Sequence, residues 1–312
     1  MLPTWTLLGL GGVMLAVGGT LFDKYLLSKY FADYEDGEAG PGALLIFSAY
    51  FSSFIIIGLL LYGYTNITFD IQPMLYALIA GVLNGIWILM YLYAISRADV
   101  SKTAPILQTI PAFGLLLAFV TLGEVLTTMQ LYAVAVLAFG AIVLLHEPKE
   151  GLLNIDTKTL GLMLGSSFFV ALSQTLFKVG TNLSGYINAT VWLWVGFLFF
   201  GILLHIAVPK YKRQFGHMFS QRIRNVFSLN AANEAFDSVG ELLFFGAIMI
   251  GPLALVQSLN TYEPMLIFVT SVILTLLYPK YFKESLTTQA LVQKVFGILV
   301  LFVGTLILYN NL

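Results

Sequence analysis

The chain is predicted to be an all-α polytopic membrane protein, with about ten transmembrane helices arranged as two inverted five-helix repeats. Three observations carry that prediction. The composition is too apolar for a surface wetted by water, apolar runs of span length follow one another along the chain, and short motifs recur in the same order in both halves.

Apolar residues make up 59% of the 312 residues and charged residues 10%, with a mean hydropathy of +0.89. A soluble domain usually carries about 25% charged residues, so this chain would expose apolar surface that only a bilayer can solvate. The net charge of −1 nominates no nucleic acid partner. With no cysteine, thiolate chemistry, disulfides and Cys-ligated metals are excluded. His146, His205 and His217 are too scattered for a metal site, and no cofactor is implied.

A span needs about 20 apolar residues to cross a hydrocarbon core of about 30 Å. Runs of that kind fall at Trp5–Phe22, Ala43–Tyr64, Met74–Ile95, Ser101–Leu122 and Thr128–His146. A second set falls at Thr159–Val179, Ala189–Val208, Val226–Ile250, Leu253–Tyr278 and Ala290–Tyr309. The first run lacks a basic leader and a small-residue cleavage site, so it reads as a span rather than a cleaved signal. Pro148–Asp156 is the natural join, dividing the chain into residues 1–150 and 151–312.

The repeat is carried by shared order. Glu124-x-Leu-Thr-Thr opens the fifth span and Glu284-x-Leu-Thr-Thr the tenth. Pro111 in the fourth span precedes that motif by 13 residues and Pro264 in the ninth by 20, and Thr20-Leu21-Phe22 is echoed by Thr175-Leu176-Phe177. Five crossings per half turn the second half upside down, an architecture that recurs in transporters with the substrate site near the midplane.

The sequence resembles the EamA family of the drug/metabolite transporter superfamily. In the first half the resemblance rests on Tyr93-Ala94-Ile95-Ser96-Arg97-Ala98, Ala104-Pro105-Ile106, Ile110-Pro111, Leu122-Gly123-Glu124 and Gly140. In the second it rests on Gly246-Ala247, Gly251-Pro252-Leu253-Ala254, Glu263-Pro264, Lys283-Glu284 and Gly297. It implies an EamA-like repeat in each half and movement of metabolites across a membrane, with no particular substrate. The second half departs by carrying Lys283 where Gly123 sits and seven extra residues between its proline and its glutamate.

Basic residues near span ends stay cytoplasmic. Of the 15 Lys and Arg, all but Lys178 lie on the side of the odd loops. That places both termini outside the cytoplasm, whereas the resemblance implies both inside; the charge distribution is preferred here. The cell membrane is the expected location.

Ionisable groups inside spans are costly and point to function. The eighth span carries Asn230, Glu234, Asp237 and Glu241 within about 60° of one another on a helix, flanked by Asn233 and Ser238. At ~1.5 Å per residue Asp237 lies about 16 Å into the span, near the midplane. Such a stripe must line a wet cavity, pair with donors or be protonated. The Pro111/Pro264 register sets Asn84 opposite Asp237, in a stripe with Trp87 and Tyr91. An aromatic, neutral wall facing an acidic one suits a solute with a cationic or hydrogen-bond-donating end and an apolar body. Glu234 and Asp237 are expected to bind the cation or exchange protons with it; the alternative is a structural polar network. Gln108 with Pro111, and Gln257, Asn260 and Glu263 with Pro264, mark matched helix breaks of the kind that border binding sites; the alternative is a kink that only fits the packing. Gln174 in the sixth span faces either the cavity or a neighbouring helix.

Other residues are expected to serve structure. Glu124 and Glu284 cap the helices they precede, Asp23 and Lys24 form an interfacial ion pair or a gate, and Gly11, Gly18 and Gly81 permit close helix packing. Lys210–Arg224, with Tyr211 and Phe215 between the charges, reads as an amphipathic helix on an anionic leaflet. The function expected is gradient-driven or exchange transport of a small molecule, with protons as a candidate coupling ion. The competing class is a non-transporting scaffold or lipid-handling protein. Neither Gly-x-Gly-Asp, His-Glu-x-x-His nor a nucleotide-binding Gly-rich loop is present, which argues against an enzyme or a nucleotide-driven pump.

Overall fold

The computed structural model describes residues 2–30, 40–97, 106–145, 157–218, 223–277 and 288–310, and the described residues are overwhelmingly helical. The first half contains α1 (Thr4–Tyr30), α2 (Pro41–Gly63, extended by a 3-10 turn at Tyr64–Asn66), α3 (Ile71–Arg97), α4 (Ile110–Leu122) and α5 (Thr128–Leu145). After it come α6 (Thr157–Ser184), α7 (Tyr186–Ala207), the short α8 (Pro209–Met218) and α9 (Ile223–Ile250). The chain closes with α10 (Leu253–Ser258), a 3-10 turn at Leu259–Tyr262, α11 (Glu263–Leu277) and α12 (Thr288–Tyr309). Among the described residues, four helices are long and apolar enough to cross a bilayer: α2 with its 3-10 extension, α3, α6 and α7. Shorter apolar stretches lie at Thr4–Thr20, Ile110–Leu122, Thr128–Gly140 and Val292–Ile307. The join at Pro148–Asp156 and the Glu284 motif fall outside the described residues, as do the side chains of Asp23 and Lys24.

Local chemistry sets the helix ends. Gly123 takes φ +66° after α4, so the Glu124 N–H can turn back to the Ala118 carbonyl at 3.3 Å. Thr127 and Gln130 then open α5 with reciprocal backbone-to-side-chain bonds of 3.0 and 3.2 Å. A single residue, Gly185 at φ +80°, joins α6 to α7. Pro111 and Pro264 both sit in the first turn of a helix, where the missing N–H costs nothing. The ninth predicted span is therefore broken rather than bent: α10 is wholly buried and gives way to the 3-10 turn before α11 starts at Glu263.

Packing is organised in pairs. α3 lies along α6 and α7, α1 along α9, α2 along α7, and α5 along α12; α4 reaches α6 and α10. Several of these crossings have glycine on both partners. A Cβ on Gly81 would strike the Leu193 carbonyl and one on Gly196 the Leu78 carbonyl, locking α3 to α7. Gly12 and Gly240 face each other's carbonyls between α1 and α9, and Gly140 and Gly304 receive Leu301 and Leu137 between α5 and α12. Small residues let helix backbones approach where lipid offers no hydrophobic drive to association. The expectation is met at Gly81 but shifts on α1. Gly11 meets only the end of Leu243 and Gly18 meets nothing within 4 Å, so neighbouring Gly12 and Gly19 make the close approaches.

The basic helix α8 also departs from expectation. Its Tyr211 ring lies against Gly42, with the Tyr211 and Tyr93 hydroxyls 2.7 Å apart. Phe215 packs 5.5 Å from Tyr50 and 5.1 Å from His205. The apolar face is thus spent on the bundle, while Lys212 and Arg213 are exposed.

Candidate functional site

A cavity of about 230 Å3 lies among the helices, lined by residues of α1, α2, α3, α4, α6, α7 and α9, the 3-10 turn before α11 and the first residue of α11. Leu44 and Ser48 come from the first turns of α2, Ile110 from the start of α4, and Leu107 and Gln108 from the residues just before it. No lining residue comes from α6 beyond Gln174 or from α9 beyond Phe245. The space therefore runs from the middle of the bundle toward the end where the basic loops lie.

The acidic wall belongs to α9. Spacings of three and four residues put Glu234, Asp237 and Glu241 on the cavity side, with Ser238 beside them. Glu263, the first residue of α11, joins them together with Asn260. Each carboxyl meets a small or neutral group from the first half. The Ser48 hydroxyl donates to Glu234 Oε1 at 2.5 Å, and the Thr20 hydroxyl donates to Glu263 Oε1 at 3.0 Å. A Cβ on Gly19 would collide with the Asp237 carboxyl, so glycine there makes room for the acid against α1. Asn84 Oδ1 accepts the Trp87 indole N–H at 2.7 Å, and the Asn84 side chain neighbours Glu241.

The opposite wall is aromatic. Trp87 and Tyr91 have ring centroids 6.1 Å apart, and Trp194 and Phe197 lie 5.9 Å apart. Indole and phenol faces attract cations, more strongly where water is excluded. The chemical offer is therefore a carboxyl-rich side, an aromatic side, and amides from Asn84, Gln108, Gln174 and Asn260 between them.

Of the residues singled out in the sequence, the structure brings Asn84, Trp87, Tyr91, Gln108, Gln174, Glu234, Asp237, Glu241, Asn260 and Glu263 to this cavity. Three others do not reach it. Asn230, one turn before Glu234 and on the same face, is 1% exposed, and neither amide atom has a hydrogen-bond partner among the described residues. The cavity lining on α9 begins only at Glu234. Asn233 is turned about 100° from Glu234 and is fully buried. Gln257 is also fully buried and donates to Gln174 Oε1 at 2.8 Å, packed into the space that Gly114 leaves open.

Glu124 needs a larger correction. It does not cap α5, a task that falls to Thr127 and Gln130. Its Oε1 pairs with Lys178 Nζ at 2.5 Å, and its Oε2 accepts the Leu253 N–H at 2.8 Å, at the start of α10. Ser48, Thr20, Trp194 and Lys178 were not singled out for these roles. Hydroxyls on apolar helices usually bond their own backbone, so only three-dimensional neighbours distinguish Ser48 and Thr20.

Residues 4–146 match the model of the EamA-like transporter family. No curated protein matches the chain. A solved protein, titled only as the crystal structure of a protein, superposes with a TM-score of 0.68 over 97% of this chain and 95% of its own, at 12% identity. Likeness at that identity speaks to the fold alone.

Proposed function

Starting from the EamA-like transporter unit at residues 4–146, a family of the drug/metabolite transporter superfamily, we propose that this integral membrane protein is a secondary transporter of a small solute. In this reading the chain crosses the bilayer about ten times as two inverted repeats, residues 1–150 and 151–312. The helix pairing supports it. Exchanging each span with its counterpart five spans on carries the α1–α9 contact onto α6–α3, and the α4–α6 contact onto α10–α1.

The observation that carries the reading is the division of labour across the cavity. Its four carboxyls come from the second half, and the groups that meet them, Ser48, Gly19, Thr20 and Asn84, come from the first. A site built across two halves is remade when they rock against each other, as alternating access requires. The solute is a compact molecule with a cationic end for Glu234 and Asp237 and an apolar body for Trp87, Tyr91 and Trp194. No nucleotide-binding loop is present, so transport draws on a gradient or on exchange, with protons as the candidate coupling ion through the same carboxyls. The cell membrane is the proposed location, with both termini outside the cytoplasm.

Thermal unfolding of the purified protein with a panel of amines, neutral metabolites and anions tests the site. A ligand bound only by the folded state raises Tm by mass action, equivalent to about 2.7 kcal/mol at a hundredfold excess over Kd. Amines are expected to stabilise the native protein and not Asp237→Asn. Stabilisation by anions alone would overturn the cationic substrate, and an acid stripe whose loss changes no flux would favour the scaffold reading.

A further inference from the structure

Lys178 is a buried cation that the cavity does not use. It sits one turn beyond Gln174 on α6, away from the basic loops, and is 7% exposed. Its ammonium donates to Glu124 Oε1 and to the Gly251 carbonyl, both at 2.5 Å. Glu124 in turn accepts the Leu253 N–H through its second oxygen. Two charged side chains thereby tie three segments together: the end of α6, the turn after α4 and the turn between α9 and α10.

A second rung lies one turn closer to the cavity on both helices. Gln174 is four residues before Lys178, Gln257 is four residues after Leu253, and their amides are bonded at 2.8 Å. Gln174 also lines the cavity. A solute that draws on the Gln174 amide therefore acts on the two helices that the ion pair clamps. Between Gln174 and Lys178 in sequence, Phe177 has no exposed surface, and its ring centroid lies 4.6 Å from that of Phe245, which lines the cavity.

Apolar side chains would close this end as firmly, since a buried ion pair gains little over well-packed hydrophobic residues. What charge adds is a stable alternative, because each partner is also at ease in water once the segments part. A recess of about 430 Å3 adjoins the pair, lined by Glu124, Lys178, Gln130 and Pro252 among others. Water there can take over both partners.

We propose that the Lys178–Glu124 pair is the gate closing the cavity on the face away from the basic loops, and that engagement of Gln174 by solute releases it. The proposal rests on the transport reading, and its test separates the two. The chain has no cysteine, so Ser238→Cys places a single thiol in the cavity wall. A membrane-impermeant thiol reagent is applied to right-side-out and to inverted vesicles. With the native pair, labelling is expected to be faster from the basic-loop face. Adding Glu124→Gln is expected to raise the rate from the opposite face at least about fivefold, the lower range of a coupled two-state shift. The double exchange Lys178→Glu with Glu124→Lys is expected to return it toward the native value. Lys178→Met serves as an independent variant should Glu124→Gln fail to assemble. Unchanged labelling in folded single variants, or a double exchange that labels as they do, overturns the gate. Absence of any solute flux through the native protein overturns the transport reading, whereas native flux with unmoved labelling removes the gate alone.

Discussion

Ser48 and Glu234 show how much of the site rests on single atoms. The serine hydroxyl reaches across from α2 to a carboxyl on α9, and its removal leaves that oxygen without the donor. Ser48→Ala is expected to cost about 0.5–1.5 kcal/mol, the usual net worth of one hydrogen bond, read as a fall in Tm or a lower denaturant midpoint. Gly19 is the sharper test, because a methyl group there would occupy the space of the Asp237 carboxyl. Gly19→Ala is expected to keep helical circular dichroism yet lose amine-dependent stabilisation; full retention of that stabilisation would show that Asp237 does not hold the cation. The acids were legible in the sequence because an ionisable group is conspicuous in an apolar span. Their partners were not, since Ser48 and Thr20 resemble any hydroxyl that bonds its own helix. Lys178 was legible only as the basic residue on the wrong side, and Glu124 explains why it is there.

At the scale of helices, the glycine crossings govern assembly. A side chain at Gly81 or Gly196 would drive α3 and α7 apart, backbone against side chain, whereas Gly18 faces open space. Gly81→Val is expected to lower stability by at least about 1–3 kcal/mol, the usual overpacking cost, while Gly18→Ala leaves Tm unchanged. Equal effects from the two would show that the α3–α7 crossing is not tight. The sequence pointed to small residues on α1 but selected positions one residue away from Gly12 and Gly19, and one residue is about 100° of rotation. Composition reveals that a helix can pack closely; which face does so depends on its neighbour. The prolines were a better guide. Pro264 announced a break, and the buried α10 followed by a 3-10 turn is that break in full. Asn230 failed for the opposite reason: its face was read correctly, but the cavity lining on α9 begins only at Glu234.

For the whole molecule, the ion pair sharpens the topology. Lys178 is buried and paired with Glu124, so it carries no weight in the charge bias of the loops; on the proposed ten-span reading every other Lys and Arg falls on the side of the odd loops. A tag on the N-terminus is therefore expected to be detectable from outside intact cells; detection only after permeabilisation would reverse the orientation and the direction in which the cavity faces. The fold class was open to a sequence reading because the bilayer imposes it on any chain so apolar. The cavity was open to one only through its expensive residues, and its aromatic and hydroxyl complement required the helices to be placed.

The most direct test of the central claim is flux. The purified protein would be reconstituted into liposomes, and uptake of a radiolabelled amine that stabilises it would be followed against an outward gradient of the same amine. Saturable counterflow by the native protein, lost in Asp237→Asn but with that variant still folded, is the result predicted here. Liposomes whose uptake matches protein-free controls for every stabilising compound would contradict it, leaving the chain a membrane scaffold with a binding pocket.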